Sequence, residues 1–345
     1  MPMPKQTKPL PLQTTAPAQT LLEIDLAAAV VTLNQHAPQI LVARKIRQDM
    51  PTPDLWSLPS GRFDPAQSRT LEIALRGFVS MQAGCELGYV EQLYTFGDRG
   101  RAAESEEGHH HVVSIGYLAL TNPLAGDLNL PQTARFCPWY GFFPWEDWRA
   151  GRPPILDREI MPHLTAWAAD SQGERADHAR RALPREARLR LCFGANGSPW
   201  DEEKVLERYE LLYEAGLLEE ARRDGRRAAL SRDTLPPLGE AMTHDHRRIL
   251  ATAMGRLRGK LKYRPVVFEL MPDHFTLTAL QQTVEAISGR HVHKQNFRRF
   301  VENASLVEPT GQQLMTRGRP AQLFRFRPDV LQERPAPGLR LHGRS

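Results

Sequence analysis

The stretch from Trp56 to Cys85, WSLPSGRFDPAQSRTLEIALRGFVSMQAGC, constrains the fold most. Leu58-Pro59-Ser60-Gly61 reads as a turn out of a strand, because Pro and Gly punctuate extended segments. A helix follows. Its Leu71, Ala74, Leu75 and Phe78 recur at the spacing that buries one helical face. Glu72 is the one carboxylate in that helix; Gly77, Ser80 and Met81 carry no charge.

This outline resembles the Nudix box, GX5EX7REUXEEXGU, with U aliphatic. Aligned on Arg76, the first glycine of the box falls on Arg62 and its first glutamate on Ser68. The later glutamates fall on Gly77, Ser80 and Met81, and the closing glycine reaches Gly84 after a one-residue slip. In Nudix hydrolases those glutamates hold a divalent metal against a diphosphate. A hard cation needs several oxygen ligands, carboxylates above all. The resemblance therefore implies a kept scaffold, a lost metal site and no catalytic residue.

A chain of 345 residues with 41% hydrophobic content can bury cores in two or three domains. No run is long and apolar enough to span a membrane. Residues 1–20, rich in Pro, Thr and Gln, lack the apolar region of a signal peptide and read as a disordered lead-in. Cys85, Cys137 and Cys192 form no CxxC pair, which argues for a reducing cytoplasm and against a cysteine zinc site. Net charge is +5, unevenly spread. Residues 241–345 hold 18 Lys/Arg against 8 Asp/Glu, an excess of +10, so the first 240 residues carry −5. A basic C-terminal third on an acidic body fits a polyanion-binding module joined to something else. An ordinary solvated surface would show the same charge.

Ile24–Leu33 and Gln39–Arg44 read as paired strands, followed by strands at Tyr89–Phe96 and His109–Leu120. Phe136–Trp148 holds three tryptophans and three phenylalanines, a density that marks core or interface. Glu202–Arg222 reads as one amphipathic helix and Asp224–Pro237 as a linker. Helices are expected at His246–Leu261, Thr276–Ser288 and His293–Asn303, then a basic hairpin with a strand at Gln322–Arg327. The whole predicts an α+β chain: a degenerate Nudix-like α/β/α domain over 21–235, a winged helix-turn-helix domain over 243–330 and a flexible tail over 331–345.

In the third of those helices, Phe297, Phe300 and Val301 can face the core. His293, Lys294, Gln295, Asn296, Arg298 and Arg299 then point outward. Arg and Lys read guanine, Asn and Gln read adenine, and all can hold phosphate. Thr276 would cap the preceding helix and could meet a phosphate. Arg317-Gly-Arg319-Pro320 resembles the minor-groove core of AT-hooks, a short match that gains weight at a wing tip. Arg44, Lys45, Arg47, Arg62 and Arg76 gather around the Nudix-like segment, and a pocket that exchanged glutamate for arginine can bind phosphate directly. Trp56 belongs to the same candidate pocket. A structural hydrogen bond is an equal reading of Arg76. His109-His110-His111 invites a metal, but His109 and His111 share one strand face with no third ligand; hydrogen bonds, or contact of His111 with a nucleotide across the pocket mouth, are the simpler readings.

LRGKLKYRPVVFELMPDHFTLTALQQTVEAISGR, HKQNFRRFVE and LVEPTG…RGRPAQLFRFR resemble the C-terminal domain of the Nudix-related transcriptional regulators of NAD metabolism, the NrtR family. WDEEKVLERYELLYEAGLLEEA resembles the NadQ-like branch. The resemblance implies a homodimeric repressor of NAD-biosynthesis or salvage genes. It would act on double-stranded operator DNA, require no cofactor and sense ADP-ribose, NAD or ATP. One competing reading is an active nucleotide hydrolase with a basic appendage, drawing carboxylates from Glu72, Glu104, Glu106 or Glu107. Another is an RNA-binding adaptor, disfavoured because the C-terminal aromatics fall at core positions rather than among basic residues.

Overall fold

The computed structural model describes residues 21–34, 37–44, 55–98, 110–122, 130–170, 183–262, 264–315 and 320–330. Strand β1 (Leu21–Asn34) pairs antiparallel with β2 (Ala37–Ala43) and with the short β3 (Ser60–Arg62). Helix α1 (Leu71–Ala83) follows, with Thr70 accepting the Ile73 N–H at its start. Next come β4 (Val90–Phe96), β5 (His110–Leu120) and β6 (Ala134–Pro138). The sheet runs β4-β5-β1-β2-β6, with β5 parallel to β1 and the β4 and β6 pairings antiparallel.

Strand alternation builds two layers on this sheet. Leu26, Ala28 and Val30 of β1 face α1, where they meet Ala74, Leu75 and Val79. Ala27, Ala29 and Val31 face the other way, into a larger core that contains Trp139, Phe142, Phe143 and Trp145. Aliphatic residues on both faces are what a central, doubly covered strand requires. The α/β/α arrangement expected from the sequence is the one observed.

The second layer is helical. After 3-10 turns at Trp139–Gly141 and Pro144–Glu146, a π-turn at Leu156–Ile160 runs into α2 (Met161–Ala169). Helix α3 (Arg185–Phe193) precedes α4 (Val205–Glu214), α5 (Glu219–Arg223) and α6 (Arg227–Leu230). The single helix expected over 202–222 is therefore two. Gly216, at φ +68, breaks it, and a Cβ there would meet the Ala228 backbone at 2.4 Å. The expected linker after Asp224 is likewise folded: it carries α6, and Arg232 donates back to the Ala215 carbonyl.

Helix α7 (His246–Leu261) lies across β1, β4 and β5, and packs on α4. Helices α8 (Leu277–Ser288) and α9 (Lys294–Asn303) form a helix-turn-helix, followed by the antiparallel hairpin of β7 (Val307–Leu314) and β8 (Ala321–Phe326). An Ile249, Leu257, Leu280, Val284, Phe297 and Val301 core continues without interruption into the sheet's second layer.

Candidate functional site

The C-terminal unit is built so that one helix is held from behind and bare in front. Phe297 and Val301 anchor α9 in the core, and Phe300 packs partly against it. Three positions at helical spacing fix the opposite face outward. His293, Lys294, Gln295, Asn296, Arg298 and Arg299 are all exposed there, with Arg299 and Asn296 in reach of each other at 3.5 Å. Thr276 is half-buried, and its hydroxyl caps α8 by accepting the Ala279 N–H at 3.1 Å. Glu285 orders the turn that follows. It accepts from Gln281, from the Val292 N–H and from His291, and these bonds outweigh its burial to hold the carboxyl below its ordinary value. On the hairpin, Arg325 pairs with Glu308 at 2.6 Å. Arg317 and Arg319, expected at the wing tip, lie outside the described residues.

The expected pocket residues fall into separate groups. Arg44 follows β2 and stands 5.2 Å over the Trp56 ring. Arg135 of β6 covers the same ring at 4.2 Å, a member that sequence reading misses because only the pairing of β2 with β6 brings it there. Two guanidiniums on one half-buried indole make a cationic, stacking surface. Arg62 ends β3, faces solvent and approaches Glu23 at 3.4 Å. His111 pairs with Leu22 on the other side of β1, near where Arg62 pairs with Asp25. Arg76 is occupied elsewhere: it donates to Glu72, to the Leu87 carbonyl and to the Gly88 carbonyl, tying α1 to the loop after it. Arg47, Lys45, His109, Glu104, Glu106 and Glu107 lie outside the described residues. Among the described residues no group of three or more His, Cys, Asp or Glu could hold a metal.

Between these two faces lies a charged joint in the buried core. Glu146 is fully buried and bridges Arg208 of α4, at 2.6 Å, and Arg258 of α7, at 2.7 Å. Burial alone would raise its pKa, but the Arg208 and Arg258 guanidiniums outweigh this and hold it below the ordinary carboxylate value. Arg208 also lies 3.9 Å over Trp200, and Arg258 donates to the Ile287 carbonyl near the end of α8. Another buried arginine, Arg247, reaches Glu220 and the carbonyls of Phe142 and Leu238. His246, the first residue of α7, accepts the Leu58 N–H through Nδ1 at 2.9 Å. No signal in the sequence distinguishes Glu146 from the neighbouring Asp147.

A mixed sheet between helices is joined to a helix-turn-helix and a hairpin, and known proteins share this arrangement. Residues 267–326 match the NrtR DNA-binding winged helix domain. A stretch of 85 residues is 41% identical to the ADPR responsive transcriptional repressor NtrR of Acinetobacter baylyi, covering 25% of this chain and 34% of that protein. The match thus spans about a third of that relative's length. The crystal structure of Shewanella oneidensis NrtR complexed with a 27mer DNA superposes with TM-score 0.53 at 20% identity, covering 90% of this chain and 95% of that one. NrtR of the same organism crystallised without DNA gives TM-score 0.52 at 19% identity, over 89% and 95% of the two chains. Residues 267–326 are thus similar to the winged helix domain of the NrtR regulators, and the whole chain shares the fold of the Shewanella protein. No described helix is long and apolar enough to cross a membrane.

Proposed function

We propose that the chain is a cytoplasmic transcriptional repressor of NAD-biosynthesis or salvage genes. Its winged helix binds double-stranded operator DNA as a homodimer, and its Nudix-like domain senses ADP-ribose or a related adenine nucleotide such as NAD or ATP. One observation carries this reading: an exposed Lys/Gln/Asn/Arg helix face stands on a scaffold whose nucleotide-hydrolase box has lost its carboxylates. That face has the side chains for base edges and phosphates. The Acinetobacter relative is named as ADPR-responsive and as a repressor, which supports both halves of the reading.

The sensing half binds without hydrolysing. Arg44, Arg62 and Arg135 supply fixed positive charge for phosphates, and Trp56 offers a flat surface for a base. Arg47 and His111 are further candidate contacts, and Arg317 and Arg319 candidate wing contacts. Two copies would place their α9 helices one or two helical turns apart on a palindrome. The test is fluorescence anisotropy with a duplex selected from a random pool by the full chain, with and without ADP-ribose, NAD and ATP, alongside a magnesium-dependent hydrolysis assay. The proposal expects sequence-selective binding that a nucleotide changes, and no turnover. Turnover of any of the three, or equal affinity for selected and scrambled duplexes, would overturn it.

A further inference from the structure

Helix α7 touches both faces of the molecule through buried polar contacts. It has 16 residues, so it spans about 24 Å. At its N-terminal end, His246 is 4% exposed and accepts the Leu58 N–H across 188 residues of sequence. Just before it, the Thr243 N–H donates to the Trp56 carbonyl at 3.2 Å. Trp56 is the ring covered by Arg44 and Arg135, and Leu58 leads into β3 and Arg62. A buried N–H left without an acceptor costs about 1–3 kcal/mol. The 56–60 segment therefore cannot shift without carrying the start of α7 along or abandoning these bonds.

The C-terminal end of α7 is fastened to the helix-turn-helix. Arg258 lies twelve residues after His246, on the same rod. It donates to Glu146, to the Glu202 carbonyl at 2.9 Å and to the Ile287 carbonyl at 2.9 Å. Tyr140 donates to the Ala286 carbonyl at 2.7 Å, and the Trp148 N–H to the Gly289 carbonyl at 2.8 Å. A Cβ on Gly289 would sit 2.5 Å from the Glu146 carbonyl oxygen, so the turn presses on the block that carries Glu146. The turn leads directly into α9.

We infer that α7 is the rod that couples nucleotide binding to DNA binding, with His246 positioning its sensor end and Glu146 its DNA end. This rests on the sensing reading given under Proposed function. A nucleotide changes DNA affinity only through its differential affinity for two arrangements of the protein. The rod joins the two sites through packed, hydrogen-bonded groups, the kind of contiguous network that can hold two discrete arrangements.

The coupling factor, the ratio of operator Kd with and without saturating ADP-ribose, is the readout. It is measured by anisotropy on the full chain as wild type, H246A and H246N, with ADP-ribose affinity measured separately by calorimetry. In H246A the ratio falls to within about twofold of one, while operator Kd without nucleotide and ADP-ribose Kd each move less than about threefold. Asparagine Oδ1 occupies the place of Nδ1, so H246N restores the ratio. An H246A chain that keeps the wild-type ratio overturns the rod. Should H246A fail to fold, hydrogen exchange on the wild type decides: ADP-ribose changes protection over 246–261 and 285–292, and unchanged protection there in a responsive chain overturns it. Failure of the sensing reading shows separately, in a wild-type chain whose ratio is already one.

Discussion

Arg258 and Arg298 both belong to the basic C-terminal third, yet Arg258 is wholly buried in a joint while Arg298 faces solvent. The difference teaches that one charge excess holds two populations. Arg247 and Arg258 are neutralised by Glu220 and Glu146 and fasten the winged helix to the sheet's second layer. Lys294, Arg298 and Arg299 line the outer face of α9. Buried guanidiniums set where α9 stands; exposed ones set the charge it presents.

Breaking the joint gives the largest effect. Glu146→Ala leaves Arg208 and Arg258 buried without their carboxylate, a loss of about 3–5 kcal/mol. Chemical denaturation shows it as a lowered midpoint or an insoluble chain. The same carboxylate has a pH signature. Glu146 and Glu285 both have folded pKa values below the ordinary 4.5. A depressed carboxyl adds stability above its unfolded pKa and loses it as pH falls through the folded one. Melting temperature should therefore hold near neutrality and drop on the acid side of about pH 4.5, less steeply in Glu285→Gln than in wild type.

On the exposed side, stability and binding should separate. Arg62→Ala weakens nucleotide affinity by about 1.5–3 kcal/mol if it holds a phosphate, and calorimetry with unchanged affinity removes Arg62 from the site. Asn296→Ala or Arg298→Ala costs about 1–3 kcal/mol of specific DNA affinity if either touches a base edge. Neither should change the unfolding free energy by more than about 0.5 kcal/mol. The smallest effect belongs to Glu308→Ala, which breaks a solvent-exposed pair with Arg325 and shifts stability by at most about 1 kcal/mol.

What the sequence revealed follows the range of the interactions. The hairpin of β1 and β2, α1, β4, β5 and the helix-turn-helix were legible because their periodicity and caps are local. Strand β3 has three residues, too few for a pattern, and β6 hides in an aromatic run whose density reads as core. The break at Gly216 was masked by apolar residues that keep helical spacing on both sides of it. In the candidate site, the outward face of α9 was legible from Phe297 and Val301. Arg135 and Glu146 were not: Arg135 meets Trp56 only through an edge-strand pairing, and Glu146 finds its partners 62 and 112 residues away.

The central claim, that a nucleotide bound on a non-hydrolysing Nudix-like scaffold controls a winged helix on DNA, is tested most directly by one titration. Wild-type protein is titrated onto the selected duplex over a salt series, with and without ADP-ribose. The account predicts an affinity that falls with salt by about 0.9 in log–log slope per phosphate contact, and a displacement of the whole curve by a nucleotide. Superimposable curves with ADP-ribose, NAD and ATP, or binding indifferent to salt, would contradict it.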